Sequence, residues 1–154
     1  MSQKAILLQR IRKDLRQQLD RLRAAASEAH AAATDPGSKA ESKYDTRSLE
    51  ASYLASGQAR QVEAMSDALD RLDQFEAPDF GIEDAVGPGA LVETDLDGET
   101  EWFLLLPAGG GHVVEDQGRE ITLLSPSSRL YQELCDRHLG DTLDDSGHLV
   151  TEIA

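Results

Sequence analysis

Cysteine, aromatic residues and, over half of its length, positive charge are what this chain lacks. Cys135 is the single cysteine among 154 residues, so no intrachain disulfide can form and nothing points to an oxidising compartment. The expectation is a cytoplasmic protein. Aromatic side chains make up 5% of the chain and hydrophobic ones 40%, which predicts modest cores and leaves room for one ordinary domain or two small units. Long apolar runs are missing as well. The opening MSQKAILLQRIRK offers only Ala5 to Leu8 before charge returns, too short for a signal-peptide core or a spanning helix. The chain is read as soluble, monomeric and without membrane contact.

Lys and Arg are scarce in one half only. The net charge is −14, and residues 1–76 hold 12 Lys/Arg and 12 Asp/Glu whereas residues 77–154 hold 3 and 17. The acid excess therefore belongs entirely to the second half, and repulsion from phosphates argues against a protein that coats free nucleic acid. A local basic stripe remains: Met1 to Ala25 carries Lys4, Arg10, Arg12, Lys13, Arg16, Arg21 and Arg23 against Asp14 and Asp20. Such a stripe is either an ordinary solvated helix face or a contact for nucleic acid held inside a protein partner.

What is present in the first half is helical periodicity. Leu8, Ile11, Leu15, Leu19, Leu22, Ala26, Ala29 and Ala33 recur at steps of three or four, which places them on one stripe of a helix over about residues 3–33. At 1.5 Å per residue this is a rod of about 45 Å, too long for a small domain to wrap. It needs a partner helix. Leu49, Ser52, Ser56, Ala59, Val62, Met65, Leu69 and Leu72 repeat the spacing, and Asp35-Pro36-Gly37-Ser38 is turn chemistry that reverses the chain. The expected unit is an antiparallel coiled-coil hairpin over 1–76 with its tip near 34–46. Its seam changes from Leu and Ile near the base to Ala26, Ala29 and Ala33 facing Ala51, Ser52, Ala55 and Ser56 near the bend. Small seam residues let the axes approach closely, which makes a thin finger; the plainer reading is that Ala is simply a good helix former.

Residues 77–89 read as a linker, because Pro78, Gly81, Gly87, Pro88 and Gly89 end the helix. Beyond it, 90–154 predicts a small α+β domain, an antiparallel sheet with one helix across it. Apolar and polar residues alternate around Leu96-Asp97-Gly98, a hairpin signal, and the apolar run Trp102 to Leu106 suits a strand buried on both faces. A loose loop is expected at Ala108 to Gly118, then a strand in REITLLS. Ser125 with Pro126 predicts the start of a short helix, with Leu130 and Leu134 on one face and Gly140 at its end. HLVTEI is the last strand.

These residues carry a resemblance. VGPGALVETDLDGETEWFLLLP, ITLLSPSSRLYQELCDRHLGDTL and the closing HLVTEI resemble the C-terminal FKBP-like domain of Gre-type bacterial transcription elongation factors, over about residues 86–153. In the first half the likeness lies in length, hairpin topology and an acidic tip, with EASYLASGQARQVEAM similar to the start of the family's second helix. The resemblance implies a C-terminal domain docked on the rim of RNA polymerase's secondary channel and a finger reaching toward the active centre. It also implies regulation of elongation, with stimulation of the polymerase's own cleavage of backtracked RNA and no independent enzymatic activity. The basic stripe of the first helix would then lie along polymerase or nascent RNA.

The resemblance also gives the acidic bend a purpose. Asp35, Glu41, Asp45 and Glu50 crowd a connector that needs no acids. Carboxylates delivered from outside can help hold the loosely bound second Mg²⁺ of a polymerase and orient a water. The family pattern is Asp-x-x-Glu, whereas here Glu41 and Asp45 stand four apart. They are the candidate catalytic and metal-handling pair, with Mg²⁺ shared with the polymerase centre and none bound by the chain alone. If the second helix begins near Ala40 they share one face; if it begins near Thr46, Asp45 sits at the N-cap and bonds backbone N–H groups instead. Asp35 reads as an Asx-turn ahead of Pro36, and an equal alternative for these acids is ordinary ion pairing with Lys43 and Arg47.

Other candidates are weaker. Gly109-Gly110-Gly111 lacks the Lys-Ser/Thr of a phosphate loop. Cys135 and His138 supply only two ligands for zinc and read as a half-buried thiol and a partly exposed imidazole. Two rival functions stay open: a channel-binding regulator that performs no cleavage, and a prolyl isomerase-like binding module. The latter needs an aromatic groove, and this half holds only Phe80, Trp102, Phe103 and Tyr131.

Overall fold

The computed structural model describes residues 2–34 and 47–154, with the side chains of residues 29, 30, 32–34 and 47–55 outside the described set. Two long helices open the chain, α1 (Gln3–Thr34) and α2 (Arg47–Asp73). No Gly or Pro interrupts α1, and the predicted stripe is the buried one: Leu8, Ile11, Leu15 and Leu19 are at most 4% exposed, as are Leu69 and Leu72 on α2. Leu22, Val62 and Met65 are half-buried. Of the small residues expected at a seam, Ala29, Ala33, Ala51, Ser52 and Ala55 lie outside the described side chains.

The chain divides into two compact units, one formed by Lys13–Leu69 and the other by Met1–Arg12 together with Asp70–Ala154. The second contains five strands, β1 (Leu91–Leu96), β2 (Glu99–Leu105), β3 (Val113–Asp116), β4 (Arg119–Leu124) and β5 (Leu149–Ile153), and a short helix α3 (Arg129–Leu134). The class is α+β. The strand order β3-β4-β2-β1-β5 makes one sheet, and it is mixed rather than antiparallel throughout: β2 and β4 run parallel, from Trp102↔Ile121 to Leu105↔Leu124, while the other pairs are antiparallel.

The expected loose loop therefore contains a strand. β3 is short and ends in Glu115-Asp116, whereas β4 buries Ile121, Leu123 and Leu124. The apolar strand takes the inner place beside β2 and the charged one takes the edge, where unpaired backbone can meet water. The β3–β4 turn is Gln117-Gly118, with φ of 52° and 77°, the same left-handed pair as Asp97-Gly98 at 53° and 85° in the β1–β2 turn. Both are tight hairpin turns that favour glycine at the second position.

Because β2 and β4 are parallel, the chain after β2 must cross to the sheet edge. It does so against the end of β4: the Leu106 N–H donates to the Leu124 carbonyl and the Gly111 N–H to the Leu123 carbonyl, both at 2.8 Å. A Cβ at Gly110 would stand 2.7 Å from the Ser125 backbone nitrogen, so only glycine fits this passage.

The sheet is covered on both faces, which is why Phe103 to Leu106 are buried in succession. On one face Val92, Phe103, Leu105, Leu124, Val150 and Ile153 pack with Tyr131 and Leu134 of α3. On the other, Leu91, Leu104, Ile121 and Leu123 share a unit with buried Leu7, Leu8, Ile11 and Leu72 from the helix ends. The N-cap of α3 is Ser128 rather than Ser125: its side chain accepts from the Tyr131 N–H, and its own N–H donates to the Ser125 carbonyl at 2.8 Å. Ser125-Pro126 makes the turn ahead of the cap. The helix ends at Cys135, before Gly140, since Asp136 already has φ of 68°.

Candidate functional site

Glu41 and Asp45, the predicted metal-handling pair, lie outside the described residues, as does Asp35; Glu50 is in the first turn of α2 with its side chain outside the described set. Among the described residues no three His, Cys, Asp or Glu side chains gather to hold a metal. Cys135 is half-buried against the core, and burial, then Asp136, pushes its thiol above its ordinary range. His138 is exposed, its backbone N–H donating to Asp141 Oδ2 at 2.8 Å.

The basic stripe of α1 proves divided in its use. Lys4 Nζ donates to the carbonyls of Pro78 and Ala154, the latter at 3.0 Å, and stands 4.9 Å from the centre of the Phe80 ring. Burial lowers its pKa, opposed by Asp79. Arg10 donates to the Glu115 carbonyl and pairs with Asp116 at 3.2 Å. Asp116 in turn lies 3.6 Å from Arg119, whose guanidinium stacks 4.2 Å above Trp102. Arg12 Nε donates to the Leu72 carbonyl at 2.8 Å. These three cations hold α1 to the rest of its unit, so they satisfy carbonyls and a carboxylate rather than offering charge outward. Periodicity could not reveal this, because their partners lie 60 to 150 residues away.

A groove of about 460 Å³ opens between α3 and the segment before β5, lined by Arg129, Leu130, Glu133, Asp145, Ser146 and His148. Arg129 pairs with Asp145 at 2.8 Å and stands 4.0 Å from Glu133. The hydrogen bond from Arg129, with its charge, holds the Asp145 carboxyl below its ordinary range. His148 is 8% exposed, edge-on to Phe103 with ring centres 6.0 Å apart, and its Nε2 is 3.5 Å from Glu101. Neither ring nitrogen has a hydrogen-bond partner, nor do Glu133 Oε1 and Ser146 Oγ, all of them buried. The sequence reading passed over these residues, since Glu133 and His148 are 15 apart and share no motif.

The described chain is thus an α+β protein of two compact units, one helical and one built on a five-stranded mixed sheet. Its structural neighbours are Gre-like proteins. The GreA factor homolog 1 (Gfh1) of Thermus thermophilus is 22% identical, with 93% of this chain and 94% of that one covered and a TM-score of 0.38. Thermus aquaticus Gfh1 is 20% identical, with 92% of each chain covered and a TM-score of 0.36. A further structure of the transcription factor Gfh1 is 26% identical, with 92% of each covered and a TM-score of 0.36. No protein-family model and no curated relative matches the chain. No described helix is long and apolar enough to cross a membrane.

Proposed function

We propose that this chain is a Gre-type transcription elongation factor that binds RNA polymerase, docking through its sheet-containing unit and inserting the hairpin of α1 and α2 into the secondary channel. The observation that carries the reading is that Lys13–Leu69, made of helix, forms a compact unit distinct from the one that holds the sheet, and that the sequence between its two helices carries Asp35, Glu41 and Asp45. A purely helical unit beside the sheet-containing one is explained by a partner that receives it.

Inside such a partner Glu41 and Asp45 would supply hard oxygen ligands toward the polymerase's second Mg²⁺, which polarises the phosphodiester and the attacking water. The chain's own task is delivery: two carboxylates on a narrow support, brought to a centre that has too few. The residues of the α1 stripe beyond Arg12 would lie along polymerase or nascent RNA. A second reading, a channel-occupying regulator without cleavage, is favoured by the four-residue separation of Glu41 and Asp45 where the family has Asp-x-x-Glu.

The deciding experiment is a stalled, backtracked elongation complex incubated with the protein and Mg²⁺. Shortened RNA supports the cleavage reading. Retained polymerase binding with RNA of unchanged length supports the regulator. Absence of binding to core polymerase overturns both.

A further inference from the structure

We propose that the groove between α3 and the segment 145–148 is a binding slot for a primary alkylammonium group, such as a lysine side chain of a protein partner or the end of a free polyamine. The proposal is independent of the polymerase reading.

Two carboxylates, Glu133 and Asp145, line the groove with one guanidinium, Arg129, which Asp145 already engages at 2.8 Å, and a third carboxylate, Glu101, stands behind the wall 3.5 Å from His148 Nε2. The local balance is negative, which excludes an anion. The second observation is His148, more than nine-tenths buried on the groove wall, its Nδ1 without a partner and its Nε2 facing Glu101 at 3.5 Å without a hydrogen bond. Buried polar groups are nearly always paired in a folded protein, so an orphaned imidazole beside an orphaned hydroxyl and carboxylate oxygen points to a missing partner.

The orphaned atoms define that partner's chemistry. Glu133 Oε1 as a carboxylate only accepts; Ser146 Oγ and one nitrogen of a neutral imidazole can accept as well. What enters must therefore donate several hydrogen bonds and carry positive charge. A primary ammonium has three donors and no acceptor. Leu130, half-buried on the groove wall, gives an apolar strip along which methylenes can lie while the charged head meets the acids. Water would satisfy the hydrogen bonds but leave the charge uncompensated, so dependence on the ligand's charge separates the two.

The test is an amide ¹H–¹⁵N titration of the full chain at constant ionic strength. The probes are Nα-acetyl-lysine methylamide, 1,5-diaminopentane and the uncharged Nα-acetyl-norleucine methylamide. Saturable shifts centred on Glu133, Ser146 and His148 are expected with one or both amines and not with norleucine. Saturation by the lysine amide alone identifies a protein side chain as the source, and by the diamine alone a free polyamine. Glu133→Gln should weaken binding by about tenfold, equivalent to about 1.4 kcal/mol. If its spectrum indicates loss of fold, Ser146→Ala replaces it, with weakening of about threefold expected from one lost neutral hydrogen bond. Linear, non-saturating shifts, equal shifts with norleucine, or unchanged affinity in a folded variant would overturn the proposal and leave the groove as hydrated surface only.

Discussion

Cys135 illustrates how burial alone sets a residue's chemistry. Its thiol, packed against the core and next to Asp136, is pushed above its ordinary 9.0. Thiolate is the reactive form, so iodoacetamide should label the native protein at neutral pH more slowly than the urea-unfolded chain. Equal rates would mean an open thiol. The same shift has a stability consequence. A group whose folded pKa is raised contributes stability fully below its unfolded value and loses it as pH rises through the folded one. The stability of wild type relative to Cys135→Ala should therefore fall as pH is raised above about 9 in urea titrations, whereas a pH-independent difference would assign Cys135 a packing role alone.

At the scale of elements, the β2-to-β4 crossover is the point where one atom decides the path. Gly110→Ala puts a methyl group 2.4 Å from Ser125 Oγ and 2.7 Å from its backbone nitrogen. The hydroxyl can rotate away but the backbone cannot. The expected cost is about 1–3 kcal/mol, as for other forced overpacking, read as a lower urea midpoint; an unchanged midpoint would mean the crossover is not closely held. The start of α3 offers a paired check. Ser128→Ala should cost about 0.5–1 kcal/mol through the lost cap, and Ser125→Ala should cost less, because Ser125 accepts through its carbonyl and retains it. The reverse order would restore Ser125 as the cap.

Across the whole molecule the helix ends belong with the sheet. A fragment of residues 77–154 lacks Leu7, Leu8, Ile11 and Leu72, all buried in the unit it shares with β1 to β5. At about 1.5–3 kcal/mol per buried leucine-sized side chain, that loss exceeds most of the stability of a small domain. The fragment should bind a hydrophobic dye and show poor amide dispersion; a cooperative, well-dispersed fragment would contradict this. The tip acids are tested on the full chain instead. On the cleavage reading Asp45→Asn should abolish RNA shortening while leaving polymerase binding intact, because Asn retains size and capping ability but loses the charge that a hard cation needs. Glu41→Gln should weaken the same activity. Equal shortening by wild type and both variants removes the metal role from the pair.

The two long helices, the strand run Trp102 to Leu106, of which β2 takes all but the last residue, and the Asp97-Gly98 turn were legible in the sequence, because each rests on local chemistry: a period of three to four, a continuous apolar run, a residue pair that accepts positive φ. The Gln117-Gly118 turn has the same geometry with a less telling first residue, and β3 was passed over with it. Which strand lies inside the sheet was not a local matter. β4 takes the place beside β2 because its buried leucines and isoleucine gain more from cover than the charged β3 does, and that comparison exists only once both compete for the same edge. The same holds for Lys4, Arg10 and Arg12, which read as a solvated stripe until distant carbonyls and Asp116 come within reach. It holds for His148 and Glu133 as well. Sequence periodicity reports the faces of single elements; pairing across tens of residues, and with it the groove, is decided by packing in three dimensions.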